Sequence, residues 1–242
     1  KDVKNQKKNL KSNVSKHIRK RSRNKLREFL GSVKKTVKRL PQVISFVKII
    51  KKYDIDIVHT NHYLTGDRAM ILAAKVTNRP VISHNRGLYK PDVIDRFISK
   101  YVDLIICMSD FSKSVYTDNG VAEGKCKTIY DGIEVDELNS SPNINNNFIV
   151  GCFGRLEKWK GQQTLIDAAE IIVKQNSKIK FVIVGGGPDE ELLKQSVAEK
   201  QLDEYFEFTG YITNVREYIE KCSIIVHTSI EPEPFGMVIT EA

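Results

Sequence analysis

Phe148-Ile-Val-Gly-Cys-Phe-Gly-Arg-Leu-Glu-Lys-Trp-Lys-Gly161 reads in two pieces. An apolar run of strand length comes first, a loop carrying Gly154, Arg155 and Lys160 follows, and Gln162 to Val173 continues at helical spacing. Such a loop sits at the carboxyl end of a parallel strand and beside a helix N-terminus, where α/β proteins bind phosphate. Arg155 offers a diphosphate a two-bond fork and Lys160 a point charge. The same residues would also suit an ordinary solvated connection, so the neighbouring segments have to decide.

The strand-and-helix alternation extends in both directions. Downstream come strand Lys180 to Val184, the loop Gly185-Gly186-Gly187-Pro188, helix Asp189 to Ala198, and strand Phe206 to Thr209. Helix Val215 to Cys222, capped by Thr213 or Asn214, and strand Ile224 to His227 complete that half. Upstream, strands are expected at Ile55–Val58, Pro80–Ser83, Leu104–Cys107 and Lys127–Tyr130, with helices Asp67–Val76, Val93–Tyr101 and Phe111–Asp118 between them. Repeated βαβ units mean parallel sheets, so the fold class is α/β. Ser140-Ser-Pro-Asn-Ile-Asn-Asn-Asn147 is rich in turn-formers and lacks periodicity. The expected organisation is therefore a basic arm with amphipathic helices at 1–52, a first Rossmann-like domain at 53–140, a linker at 141–147 and a second at 148–242. Two such domains should face each other across a cleft.

Charge is distributed unevenly. Residues 1–52 hold 19 Lys and Arg against only Asp2 and Glu28, an excess of 17 positive charges in a chain whose net charge is +9. Leu26, Phe29, Leu30, Val33, Val37 and Leu40 recur at helical spacing, with Lys34, Lys35, Lys38 and Arg39 on the other face. Pro41 should end that helix and open the next. A basic amphipathic helix suits an anionic membrane surface, or else packs its stripe on the first sheet; nucleic acid is disfavoured because only Phe29 and Phe46 precede Tyr53. No apolar run approaches the roughly 20 residues needed to cross a bilayer. The four cysteines are far apart and read as small reduced core residues of a cytoplasmic protein. A first residue other than methionine and an end at Ala242, just inside an expected helix, read as an internal fragment.

Glu231-Pro-Glu-Pro-Phe-Gly-Met-Val-Ile-Thr-Glu241 follows the last strand. It carries two carboxylates, Glu233 and Glu241, across a turn and a helix start, so both can face one cleft. Carboxylates are strong acceptors for sugar and ribose hydroxyls, and the N–H groups of Phe235 and Gly236 suit phosphate or sugar oxygen.

Together these residues resemble the retaining family 4 glycosyltransferases of GT-B architecture, two facing Rossmann-like domains, both incomplete here. The resemblance runs from Asp54 onward and rests on Gly154-Arg155-Leu156 with Lys160-Gly161, Val184-Gly185-Gly186-Gly187-Pro188, Phe208-Thr-Gly210-Tyr211, and Glu233-Pro-Phe-Gly236 with Glu241. Asp56-Ile-Val-His59, Pro80-Val-Ile-Ser-His84, Ile106-Cys-Met-Ser109 and Tyr130-Asp-Gly-Ile133 match more loosely. Asp131 stands where the family usually has Asn. The resemblance implies that Gly154, Arg155, Lys160, Gly186 and Tyr211 hold the donor, with Glu241 on the ribose. Glu233 and the backbone of Phe235 and Gly236 would meet the transferred sugar, and His84 would be catalytic beside it. It further implies a nucleoside diphosphate sugar as donor, a saccharide or lipid-linked acceptor, and no metal or other cofactor. The function to expect is retaining hexosyl transfer in cell-envelope polysaccharide or glycolipid synthesis, at the inner membrane face. A nucleotide-sugar epimerase, a phosphorylase, or a non-catalytic module whose arm binds membrane or nucleic acid are the alternatives.

Overall fold

The computed structural model describes residue 24 and residues 26–133 and 148–242. The expected linker at 141–147 and the polar start of the arm lie outside the described residues. The chain divides into two compact units, Lys1–Tyr130 and Asp131–Ala242.

In the first unit, helix α1 (26–37) leads through a turn to α2 (Leu40–Lys52), β1 (Val58–Thr60), α3 (Leu64–Val76) and β2 (Val81–Asn85). Helix α4 (Val93–Ile98), β3 (Leu104–Cys107), α5 (Asp110–Thr117) and β4 (Cys126–Thr128) follow. The sheet is parallel throughout and runs β1-β2-β3-β4. Val58, Val81, Ile105 and Cys107 enter the core with Leu64, Ile71 and Ile98 from the helices. Asp92 accepts from the Ile94 and Asp95 N–H groups while Asp95 returns a bond to Asp92 N–H, a capping box that starts α4. Ser109 and Ser112 do the same for α5.

Several expected boundaries shift here. Strand β1 begins at Val58 rather than Ile55, because its pairing opens at Val58↔Val81 and Ile57 is left exposed. Helix α3 starts at Leu64, which is buried, three residues before Asp67. The first helix stops at 37, before Pro41, and Pro41 serves only to open α2.

Buried charge ties these helices together. Arg68, fully buried on α3, pairs with Asp92 at 2.6 Å and Asp95 at 2.8 Å. It also donates to Ser32 Oγ at 3.0 Å and Thr36 Oγ1 at 2.9 Å on α1, and Thr65 donates to Asp95 at 2.7 Å. Helix α1 is thus docked by serine and threonine, and its apolar stripe does not pack on the sheet: Leu26, Phe29, Leu30 and Val37 are exposed.

The second unit contains β5 (Phe148–Phe153), α6 (Gln162–Ile172), β6 (Ile179–Val184), α7 (Glu190–Glu199), β7 (Phe206–Gly210), α8 (Val215–Lys221), β8 (Ile224–Val226) and the short α9 (Met237–Glu241). Its parallel sheet has the order β7-β6-β5-β8. On β6, Phe181 and Ile183 face one cluster with Leu165, Ile166 and Leu193, while Val182 and Val184 face another with Phe153. Burial on both sides explains the unbroken apolar run. Asn214 occupies the N-cap position of α8 but makes no side-chain capping bond.

Candidate functional site

Strand order points to a candidate site in the second unit. The chain steps from β5 outward to β6 and β7, then returns to place β8 on the other side of β5. In open α/β sheets ligands bind outside the carboxyl ends of the strands at such a reversal. The segments leaving β5 and β8 are the Gly154–Gly161 loop and the stretch from His227 to Gly236.

These two segments are stitched together. Ile230 N–H donates to the Trp159 carbonyl at 2.9 Å and Thr228 Oγ1 to the Lys160 carbonyl at 2.8 Å. Gly161 adopts φ +69°, and a Cβ there would lie 2.1 Å from the Thr228 carbonyl oxygen. The loop after β6 closes the other flank. Gly154 N–H donates to the Val184 carbonyl at 2.9 Å and Leu156 N–H to the Gly186 carbonyl at 3.1 Å. A Cβ on Gly185, at φ +135°, would sit 2.1 Å from the Gly154 carbonyl oxygen, so backbone meets backbone.

Lys160 and Glu233 meet at the centre of this frame. Lys160 Nζ donates to Glu233 Oε1 at 2.7 Å, with the two side chains 15% and 12% exposed. His227 Nε2 lies 2.8 Å from the same oxygen and Ser229 Oγ also donates to it. Burial alone would push the Glu233 carboxyl up, but the bonds from Lys160 and Ser229, the Lys160 charge and the His227 contact outweigh it and hold it below the ordinary carboxylate value. All three partners converge on Oε1, and among the described residues Oε2 takes none. The Lys160 ammonium also lies 4.5 Å from the centre of the Trp159 ring.

Other residues singled out from the sequence are distributed less tightly. Arg155 is 69% exposed and paired through Nε with Glu157 at 2.9 Å, and Glu157 also accepts from Trp159 Nε1 at 2.6 Å. Gly186 lies against Tyr211, whose N would be 3.4 Å from a Cβ placed on that glycine, and the Tyr211 ring is exposed. Helix α9 begins only at Met237, with Gly236 as its left-handed N-cap at φ +86°. Phe235 therefore precedes the helix instead of lying in its first turn. Glu241 is exposed at the end of α9 and makes no polar contact among the described residues, so it does not join the Glu233 cluster. In the first unit, His84 is half-buried at the carboxyl end of β2 and stacks on His59, ring centres 6.0 Å apart. Lys34, Lys35 and Lys38 are exposed, whereas Arg39 is spent on the carbonyls of Thr65 and Gly66 at the start of α3. That corrects Arg39 from a membrane contact to an anchor. Glu157, His227 and Ser229 escaped the sequence reading; His227 and Ser229 could have been flagged by their place just after β8.

Two units of this build, each a parallel sheet flanked by helices, define the GT-B class of glycosyltransferase fold. The chain belongs to Glycosyltransferase Family 4, whose sequence model matches residues 12–137, just over half of it; residues 135–242 match the model for glycosyl transferases group 1. Among curated relatives, an uncharacterised glycosyltransferase of Methanocaldococcus jannaschii is 31% identical over 146 residues, covering 56% of this chain and 37% of its own length. The capsular polysaccharide biosynthesis glycosyltransferase CapH of Staphylococcus aureus is 25% identical over 76% of this chain and 56% of its own. Anabaena HepE, solved in complex with UDP and glucose, superposes with a TM-score of 0.70 at 25% identity, over 84% of this chain and 60% of that one. The chain thus spans about half the length of the curated relatives it matches.

Proposed function

We propose that the protein transfers a hexosyl group from a nucleoside diphosphate sugar to the hydroxyl of a saccharide or lipid-linked acceptor, with retention at the anomeric carbon, in cell-envelope polysaccharide or glycolipid synthesis. The observation that carries this reading is the Lys160–Glu233 pair at the strand reversal, framed by glycines and with one carboxylate oxygen open. Lys160 and Arg155 take the diphosphate and stabilise it as it leaves, without metal; Gly154 and Gly186 let the protein backbone lie close to the donor, and Tyr211 flanks it. Glu233 Oε2 accepts from a sugar hydroxyl, Phe235 and Gly236 bound the sugar pocket, Glu241 holds the ribose, and His84 contacts the transferred sugar as a catalytic group. A carboxylate kept ionised by Lys160 also opposes the positive charge that develops at the anomeric carbon. The activity belongs to the cytoplasmic side of the envelope, where nucleotide sugars are made.

The reading is tested on the full-length protein with a thermal-shift panel of UDP-, GDP- and ADP-sugars, followed by turnover and proton NMR of the product's anomeric centre. One donor should raise the melting temperature by mass action, and the product should keep the donor's configuration. Inversion would overturn retention, product without acceptor would indicate an epimerase, and dependence on free phosphate a phosphorylase. No donor binding would overturn the whole reading.

A further inference from the structure

Helix α1 is docked the wrong way round for an ordinary amphipathic helix. Its inward residues are polar: Ser32 donates to Asp92 Oδ2 at 2.5 Å, Ser32 and Thr36 accept from buried Arg68, and Arg39 in the following turn holds the start of α3. At about 100° per residue, Leu26, Phe29, Leu30, Val33 and Val37 fall on a neighbouring side of the helix, and Lys34 and Lys35 on the next. Leu26 is 58% exposed, Leu30 56%, Val37 54% and Phe29 40%. A surface helix normally turns this stripe inward, and an exposed row of large apolar side chains beside lysines needs a partner.

We propose that α1 docks on an anionic lipid bilayer, with the apolar stripe at the boundary between headgroups and acyl chains and Lys34, Lys35 and Lys38 on lipid phosphates. Charge complementarity selects this occupant. The excess of 17 positive charges over residues 1–52 matches an anionic leaflet, and a second copy of the chain would set lysine against lysine. A nucleic acid would leave the aliphatic row unused, since Phe29 is the one aromatic residue of α1 that could stack on a base. The buried Arg68 cluster fixes which side of α1 faces outward, so the docking surface is preformed. The inference stands independently of the proposed glycosyl transfer. It is also compatible with the fact that no described helix is long and apolar enough to cross a membrane.

Co-sedimentation of the full-length protein with vesicles tests it. Binding is expected to mixed phosphatidylcholine–phosphatidylglycerol vesicles, weakly if at all to phosphatidylcholine alone, and to fall as salt rises. Lys34→Gln, Lys35→Gln and Lys38→Gln combined should lower partition roughly a hundredfold. Leu26→Ser with Leu30→Ser should lower it at least tenfold. Both variants should melt with wild type, because the replaced side chains are exposed. Equal binding to neutral vesicles, or no loss in either variant, overturns the proposal. So does binding by residues 1–242 alone but not by the full-length protein, which would mean another segment covers the stripe. Self-association abolished by the serine variant, or pelleting that requires nucleic acid, would assign the face to those partners instead.

Discussion

Both units shelter a cation paired with carboxylate, yet the two clusters are closed to different degrees. Arg68 is enclosed: Nε donates to Asp95, Nη1 to Ser32 and Thr36, Nη2 lies in ion-pair contact with Asp92 and Asp95, and the cluster lies among α1, α3 and α4. Lys160 and Glu233 sit at the carboxyl ends of the strands that flank a reversal of strand order, slightly exposed, with three groups crowded onto one oxygen and the other left open. Among the described strands the first sheet runs in sequence order and offers no such reversal. The lesson is that a buried ion pair marks structure when its partners are complete. It marks a site when an acceptor remains and topology points solvent at it.

The largest effect expected is on the closed cluster. Arg68→Met should cost about 3–5 kcal/mol, because Asp95 would be left fully buried, and Asp92 half-buried, without their cation. Urea denaturation would read it, and a loss below about 1 kcal/mol would contradict the closure described above. Next is Gly185→Ala, for which a loss of about 2–3 kcal/mol is expected from the forced backbone at φ +135° and the meeting with the Gly154 carbonyl. The same variant should bind donor poorly, since the two loops would part. An unchanged denaturation midpoint would show that the loops are not in contact.

Acid should act on both clusters in the same direction. For Asp92, burial raises the carboxyl, but the bonds from Ser32, Arg68 and the Asp95 N–H prevail and depress it; Glu233 is depressed by the balance given earlier. A depressed carboxylate contributes stability that is complete above its unfolded value, near pH 4, and lost as pH falls through the lower folded value. Asp92→Asn and Glu233→Gln should each flatten the acid limb of a stability–pH curve, and parallel curves for wild type and both variants would refute the pairing. The sharpest contrast comes from the two cations of the second unit. Lys160→Ala and Arg155→Ala should each weaken nucleoside diphosphate binding by about 1.5–3 kcal/mol in calorimetry. On stability they should separate, since the exposed Arg155–Glu157 pair is expected to contribute less than about 1 kcal/mol. Equal destabilisation by both would mean that exposure does not distinguish them.

Legibility followed the chemistry that makes each feature. Strands β3 and β5 were readable to the residue because Leu104–Cys107 and Phe148–Phe153 are short apolar runs, each preceded by a polar residue, Asp103 and Asn147. Strand β1 was not, because two of its three residues are His59 and Thr60 and the apolar Ile55 and Ile57 lie outside the pairing. Hydrophobic pattern cannot announce a buried polar strand residue, and Thr60, Ser83 and Asn85 are all of that kind. Lys160 and Glu233 were each legible as chemistry, but their 2.7 Å contact joins residues 73 apart and follows from strand order alone. The Arg68 cluster was invisible for the same reason: its members come from three helices, and nothing in their local spacing couples them. The α1 stripe was legible as a stripe, and only the burial of Ser32 and Thr36 shows which way it faces.

The contact between Gly185 and Gly154 has a consequence for how β5 and β6 find each other. Parallel strands can slide past one another while still exchanging ladder bonds, and a slip of one residue reverses every side chain of the moving strand. In the native alignment Phe153 stands opposite Val184 and the chain beyond runs into the glycine crossing. Sliding β6 one residue toward its carboxyl end would carry Val184 to the position of Gly185, where even a single Cβ has only 2.1 Å to the Gly154 oxygen. The crossing therefore works as an end-stop, setting the alignment of the strands by a place at which they leave no room for a side chain.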